Sequence, residues 1–219
     1  MVVHRQGPLL PEGFSAEGSS RMTPLVRKAT RTDINLAGDV LAAAMAADPV
    51  ACWILGKSTD VERRLRLVFR GLIRVAMRTL DHEIHLTDDG WTVGLWHGIG
   101  RWDLPATDLM RVFPSTLRSG FLNRRGLQLT NAMHKAHPRE PHYYLEVLGT
   151  RPDRQGRGGG SAVMTAMTER CDREGVAGYL ENSNPRNDPF YRRHGFEPMP
   201  AFDLPAGCPP LAPMWREPR

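Results

Sequence analysis

The sequence predicts an α/β fold of the α+β kind, with a central mixed sheet flanked by helices. Three observations carry this expectation. Strand-like and helical stretches alternate along the chain. The second half reads strand, glycine-rich loop, helix, strand, short helix, strand. A length of 219 residues, 41% hydrophobic and 24% charged, suits a globular chain that buries a core without disulfides. Cys52, Cys171 and Cys208 are scattered and contain no CxxC pair, so they give neither a disulfide framework nor a zinc pattern. A formal net charge of +5 favours anionic ligands but is too weak to imply nucleic acid.

Residues 1–22 are rich in Pro, Gly and Ser without periodicity and read as a disordered leader, with 23–219 as a single domain. Leu25–Ala29 reads as the first strand. Thr32 and Asp33 offer N-cap chemistry for an Ala-rich helix to about Ala47, which Asp48-Pro49 stops. A second helix spans Thr59–Leu80, with an apolar face beside a stripe of Arg63, Arg66, Arg70, Arg74 and Arg78 that reads as a solvated surface. Strands Glu83–Thr87 and Trp91–His97 flank an Asp88-Asp89-Gly90 hairpin turn. His82 and His85 alternate to opposite faces there and have no third ligand beside Glu83, so no metal is expected. Residues 101–141 read as turns with short helical patterns. HYYLEVLGT (142–150) is a strand, SAVMTAMTERCDREG a helix stopped by Gly175, and AGYLEN the next strand. NPRNDPFYRRHG is a short helix, and GFEPMPAF with the tail to Trp215 completes the sheet. No run of roughly 18 apolar residues spans a membrane, and the first residues lack the apolar core of a secretory signal, so a cytoplasmic protein is expected.

The loop Gln155-Gly156-Arg157-Gly158-Gly159-Gly160 lies between a strand and a helix. Glycines can turn backbone N–H groups inward, and a helix start adds a positive dipole end, so the loop suits a pyrophosphate. A P-loop is rejected because no Lys-Ser or Lys-Thr follows. A dinucleotide fingerprint fails because position 161 is Ser. An Arg-Gly-Gly RNA-binding tract would be disordered, whereas this loop sits between two well-patterned elements.

PDRQGRGGGSAV resembles the acetyl-CoA pyrophosphate loop of the GNAT superfamily of N-acetyltransferases, through Gln155, Gly158 and Gly160. NPRNDPFYRRHGF resembles that superfamily's second motif, through Asn184, Tyr191, Gly195 and Phe196. The stretches from 142 onward and the terminal PMWR are similar to the branch containing puromycin N-acetyltransferase. The resemblance implies a GNAT-like acyl-CoA N-acyltransferase fold and acetyl-CoA as cofactor. Gly156, Arg157 and Gly159 complete the phosphate loop. The family usually carries Leu or Ile at position 159, so Gly159 predicts a floppier helix start without an apolar anchor.

The resemblance also implies that the backbone of Leu148, Gly149 and Thr150 pairs with the pantetheine arm. Tyr191 is the expected general acid, because a phenol near pKa ~10 stays protonated at neutral pH. Asn184 and Asn187 either bond the cofactor arm or cap the helix. Glu146 and Glu181 compete as the base. Strand alternation puts Glu146, Leu148 and Thr150 on one face and Tyr143, Leu145 and Val147 on the other. The acceptor, a small-molecule amine, is expected near Trp53, Phe69 and Tyr143. No cysteine has a histidine neighbour in sequence, which favours direct transfer in a ternary complex. Neither nucleic acid nor membrane is an expected partner, and the chain is expected as a monomer or homodimer. The rival reading is a non-catalytic acyl-CoA-binding or sensing protein on the same fold.

Overall fold

The computed structural model describes residues 23–56, 58–78, 82–102 and 106–219. The expected leader, 1–22, lies outside them. In chain order the elements are β1 (Val26–Lys28), α1 (Ile34–Met45), α2 (Pro49–Leu55), α3 (Val61–Ala76), β2 (His82–Thr87), β3 (Thr92–His97), α4 (Ala106–Ser119), α5 (Arg124–Ala136), β4 (His142–Thr150), α6 (Gly159–Glu174), β5 (Ala177–Asn182), α7 (Asp188–Arg193), β6 (Glu197–Pro198) and β7 (Ala212–Arg216). The strands form one seven-stranded sheet in the order β1-β2-β3-β4-β5-β7-β6. Among the described residues only β4 and β5 run parallel; every other neighbouring pair is antiparallel. This is the mixed, helix-flanked sheet that the alternation of elements predicts.

Two apolar cores cover the two faces. On one, Leu41 of α1 and Leu72 and Ile73 of α3 pack on Ile84, Leu86, Val93 and Leu95. On the other, Met164, Met167 and Cys171 of α6 pack on Trp96, Tyr143, Leu145 and Leu180. The arginine stripe on α3 is largely consumed at the surface. Arg66 and Arg70 pair with Asp39 of α1, and Arg63 and Arg64 pair with Asp60.

Several local expectations change. Asp33 precedes α1, but its carboxylate accepts from the Thr30 N–H and hydroxyl and from Arg27 rather than from the helix. Asp48-Pro49 does more than end α1. Asp48 accepts from the Ala51 N–H at 2.9 Å and Pro49 takes the first helical position, so the pair starts α2. Residues 101–141, read as turns with short helical patterns, contain helices of 14 and 13 residues, the first with Pro114 inside it. Their Pro, Ser, Thr, Asn and Gly residues are turn formers that packing overrides here. Among the described residues no single helix is long and apolar enough to cross a membrane.

Candidate active site

β4 and β5 pair only from His142↔Ala177 to Leu145↔Leu180. Beyond that point β4 stays with β3 while its other edge has no strand partner among the described residues. The cause is visible in the β3–β4 register. Leu95 faces Val147 but Trp96 faces Leu145, so Glu146 is an extra, bulged residue. A bulge bends its strand and resets the side-chain alternation. Tyr143 and Leu145 pack in the α6 core, yet so does Leu148, while Val147 packs against the α1–α3 core. The expected shared face of Glu146 and Leu148 is therefore wrong: strict alternation ends at the bulge.

The gap opens into a cavity of about 770 Å³. One end is walled by Arg154, Gln155, Gly156, Arg157, Gly158, Gly159 and Gly160, with Asn184, Arg186, Asn187 and Arg193 nearby on the α7 side. Gly156 (φ 73°) and Gly158 (φ 87°) occupy the left-handed region, which turns the chain into α6. The Ala162 N–H donates to the Gly158 carbonyl at 2.9 Å, so the amides of Gly159, Gly160 and Ser161 precede the helix's own ladder. Arg154 stacks on Trp91, its guanidinium carbon 3.9 Å from the ring centroid. Open amides, a helix start and arginines make a donor set that fits a diphosphate.

Gly159 is not a loose point. It is buried, and a Cβ there would lie 2.3 Å from Thr92 Oγ1 and 3.2 Å from Thr92 Cβ. Thr92 is itself held by Thr150, Oγ1 to Oγ1 at 3.0 Å. The helix start thus sits directly on the sheet, and the expected floppiness is replaced by close backbone contact.

The other end of the cavity is walled by Ala44, Met45 and Ala47 of the α1–α2 corner, by Asp48, Glu146, Glu181 and Ser183, and by Tyr191. Asp48 accepts from the Ser183 hydroxyl at 2.5 Å, tying α2 to the end of β5. Glu146 lies 2.5 Å from His97, Oε2 to Nε2. Glu181 is nearly sealed, its side chain 3% exposed, with Oε1 3.8 Å from His137 Nδ1. Burial, then the Glu181 charge, pushes the Tyr144 and Tyr179 phenols above their ordinary value. Burial, then the Asp48 charge, does the same to Tyr191. No cysteine lines the cavity among the described residues, and burial pushes the Cys171 thiol up to about 11.

Residues 125–196 match the Acetyltransferase (GNAT) family. Among solved structures, the chain is similar to the histone acetyltransferase HPA2 and related acetyltransferase of Corynebacterium glutamicum. The TM-score is 0.69 and the identity 25%, over 90% of this chain and 98% of that one. The fold is that of the GNAT acetyltransferases. The chain is also similar in fold to the PaiA N-acetyltransferase of Thermoplasma acidophilum, solved in complex with coenzyme A. Here the TM-score is 0.53 and the identity 13%, over 90% of this chain and 99% of that one.

On this GNAT scaffold, Glu146, Leu148, Gly149, Thr150, Gln155, Gly156, Arg157, Gly158, Gly159, Gly160, Glu181, Asn184, Asn187 and Tyr191 all line the one cavity. Trp53, Phe69 and Tyr143 do not. Tyr143 is buried in the α6 core and its hydroxyl donates to Glu174 at 2.5 Å. Phe69 packs in the α1–α3 core, and Trp53 packs beside Val50 and Ile54 with Arg125 over its ring. The asparagines divide unevenly. Asn184 accepts from the Arg186 N–H and caps the turn, whereas Asn187 makes no capping bond and is exposed to the cavity. Residues missed from sequence are Asp48, Ser183, Arg154, Arg186, Arg193 and His97. Asp48-Pro49 carried a helix-start signal; His97 carried none, because its contact depends on the bulge.

Proposed function

We propose that the protein acetylates a primary amine of a small molecule with acetyl-CoA, by direct transfer within a ternary complex. The observation that carries this is the lining of a single cavity: the amides and arginines of the loop before α6 together with the carboxylates Glu146, Glu181 and Asp48. The likeness of the chain from 142 onward to the puromycin N-acetyltransferase branch supports a small acceptor. When bound, acetyl-CoA supplies a thioester carbonyl open to amine attack.

The residues of this chain do the rest. The loop amides, Arg154 and Arg157 hold the diphosphate. The unpaired edge of β4, at Leu148, Gly149 and Thr150, offers backbone groups to the pantetheine amides in the manner of an added strand. An acceptor ammonium must lose two protons. Glu146 takes the first, directly or through a water, and passes it to solvent. As the C–N bond forms and the C–S bond breaks, the second goes to the departing sulfur. Tyr191 remains protonated because burial disfavours its phenolate. It donates a hydrogen bond to that sulfur and lends its proton only as the amine's arrives. Glu181, sealed beside two phenols, shapes the acceptor end electrostatically. The absence of a cysteine among the described lining residues supports direct transfer over an acetyl-enzyme. The protein is expected to act in the cytoplasm as a monomer or homodimer.

The test mixes protein, acetyl-CoA and an amine panel and follows free thiol. Thiol release that depends on a particular amine supports the reading. Tight coenzyme A binding without turnover across the panel would replace it with the acyl-CoA sensor.

A further inference from the structure

We infer that His97 is the positioning residue that makes Glu146, and not Glu181, the proton acceptor. The inference rests on the acetyl-transfer reading above and deepens it. Glu146 is the bulged residue of β4, on a stretch of backbone that no β5 strand supports. A glutamate there has three side-chain torsions to fix before it can serve as a base. His97 fixes them. Its ring is 2% exposed and stacks on Tyr144 with centroids 5.4 Å apart. Its Nδ1 lies 3.2 Å from the Arg101 carbonyl. Held on those sides, the ring presents Nε2 to Glu146 Oε2 at 2.5 Å. The two ring nitrogens thus face two oxygens on opposite sides, the Arg101 carbonyl and Glu146 Oε2. A short hydrogen bond to a ring that is itself held fixes direction as well as distance.

The second oxygen of Glu146 has no hydrogen-bond partner among the described residues, and the side chain is 29% exposed where it lines the cavity. One oxygen is tied and the other is offered. Glu181 has the opposite arrangement: it is nearly sealed, and its histidine neighbour, His137, is 3.8 Å away, too far for a hydrogen bond. His97 does not line the cavity, so it acts through Glu146 and not on substrate.

The experiment compares wild type, H97A, H97Q, E146Q and H97A/E146Q, reading coenzyme A affinity by calorimetry and kcat and KM by thiol release. Gln places an amide N–H near the position of Nε2. Coenzyme A affinity and the KM for acetyl-CoA should stay within twofold in every variant. The kcat should fall about 10–100-fold in H97A, and H97Q should recover most of that fall. H97A/E146Q should be no slower than E146Q, because the histidine has nothing left to position. If H97A does not fold, H97N replaces it, since Asn keeps the bond toward Arg101 without reaching Glu146. A fall that H97Q does not recover, or that multiplies with E146Q, overturns the inference, as does unchanged kcat in H97A. Wild-type protein that neither binds coenzyme A nor releases thiol overturns the acetyl-transfer reading, and the role of His97 with it.

Discussion

The two ends of the cavity are built by different means. The diphosphate end is made of backbone: two left-handed glycines, a helix start, and a glycine pressed onto Thr92. Its glycines, its helix start and Arg154 and Arg157 come from one stretch, 154–161, seated on Trp91 and Thr92, with Arg186 and Arg193 added from the α7 side. The acceptor end is made of side chains from α1, the α1–α2 corner, β4, β5 and α7, far apart in sequence. A backbone site tolerates almost no change of residue, and its turn is set mainly by local glycine spacing. A side-chain site depends on register, bulge and corner geometry that a local segment cannot specify.

The sharpest test of this division is at Gly158. Its φ of 87° strains most side chains, but Asp and Asn adopt such values most readily among non-glycine residues. Gly158→Asp should therefore fold and still lose coenzyme A. Two like charges about 5 Å apart at an effective dielectric near 20 repel by about 3 kcal/mol, so the Kd should rise at least a hundredfold. Gly158→Asn, with similar shape and no charge, should lose about tenfold or less. Calorimetric titration of both variants separates field from shape. Equal losses would mean that the loop works by space alone and would erase the electrostatic half of the comparison.

Tyr191→Phe probes the other end. It removes one hydroxyl from the cavity wall and leaves the ring packed with Phe196. The kcat should fall about 10–100-fold, with coenzyme A affinity unchanged. Steady-state thiol release with calorimetry reads both. A variant with normal kcat would leave Tyr191 as packing.

How much of this was legible in the sequence follows the same division. The loop could be read residue by residue because glycine spacing dictates backbone conformation directly. The order of strands and helices from 142 onward could be read for the same local reason. Side-chain facing on β4 could not, because alternation assumes an unbroken ladder and Glu146 interrupts it. Helices α4 and α5 show only as short helical patterns, since Pro114 and the Ser, Thr, Asn and Gly around it are turn formers by propensity. The role of Gly159 was misread because its reason lies on a different strand, in Thr92.

Gly159→Ala should show that cost as stability. Its Cβ would meet Thr92 Oγ1 at 2.3 Å, and Thr92 is held by Thr150. Overpacking of this kind costs about 1–3 kcal/mol, set against up to about 1 kcal/mol gained from helix propensity. A net loss of about 1–2 kcal/mol in denaturant unfolding is expected. A gain in stability would mean that the helix start can lift off the sheet, and the glycine would then mark looseness after all.

The smallest effect is expected at Tyr143, and it decides where the acceptor end stops. Tyr143 lies on β4 near Glu146 in sequence but faces α6, with its hydroxyl on Glu174 and the Arg170 guanidinium over its ring. Burial, then the Glu174 bond, raises its phenol to about 12, so it stays neutral at any working pH. Tyr143→Phe removes one hydrogen bond whose acceptor, Glu174, is exposed and can turn to water and Arg170 instead. The stability loss should therefore be about 0.5–1 kcal/mol, with kcat and both KM values unchanged. A fall in kcat would place the acceptor on the α6 face of the sheet, on the wrong side of the bulge from Glu146, and would move the boundary between the two ends.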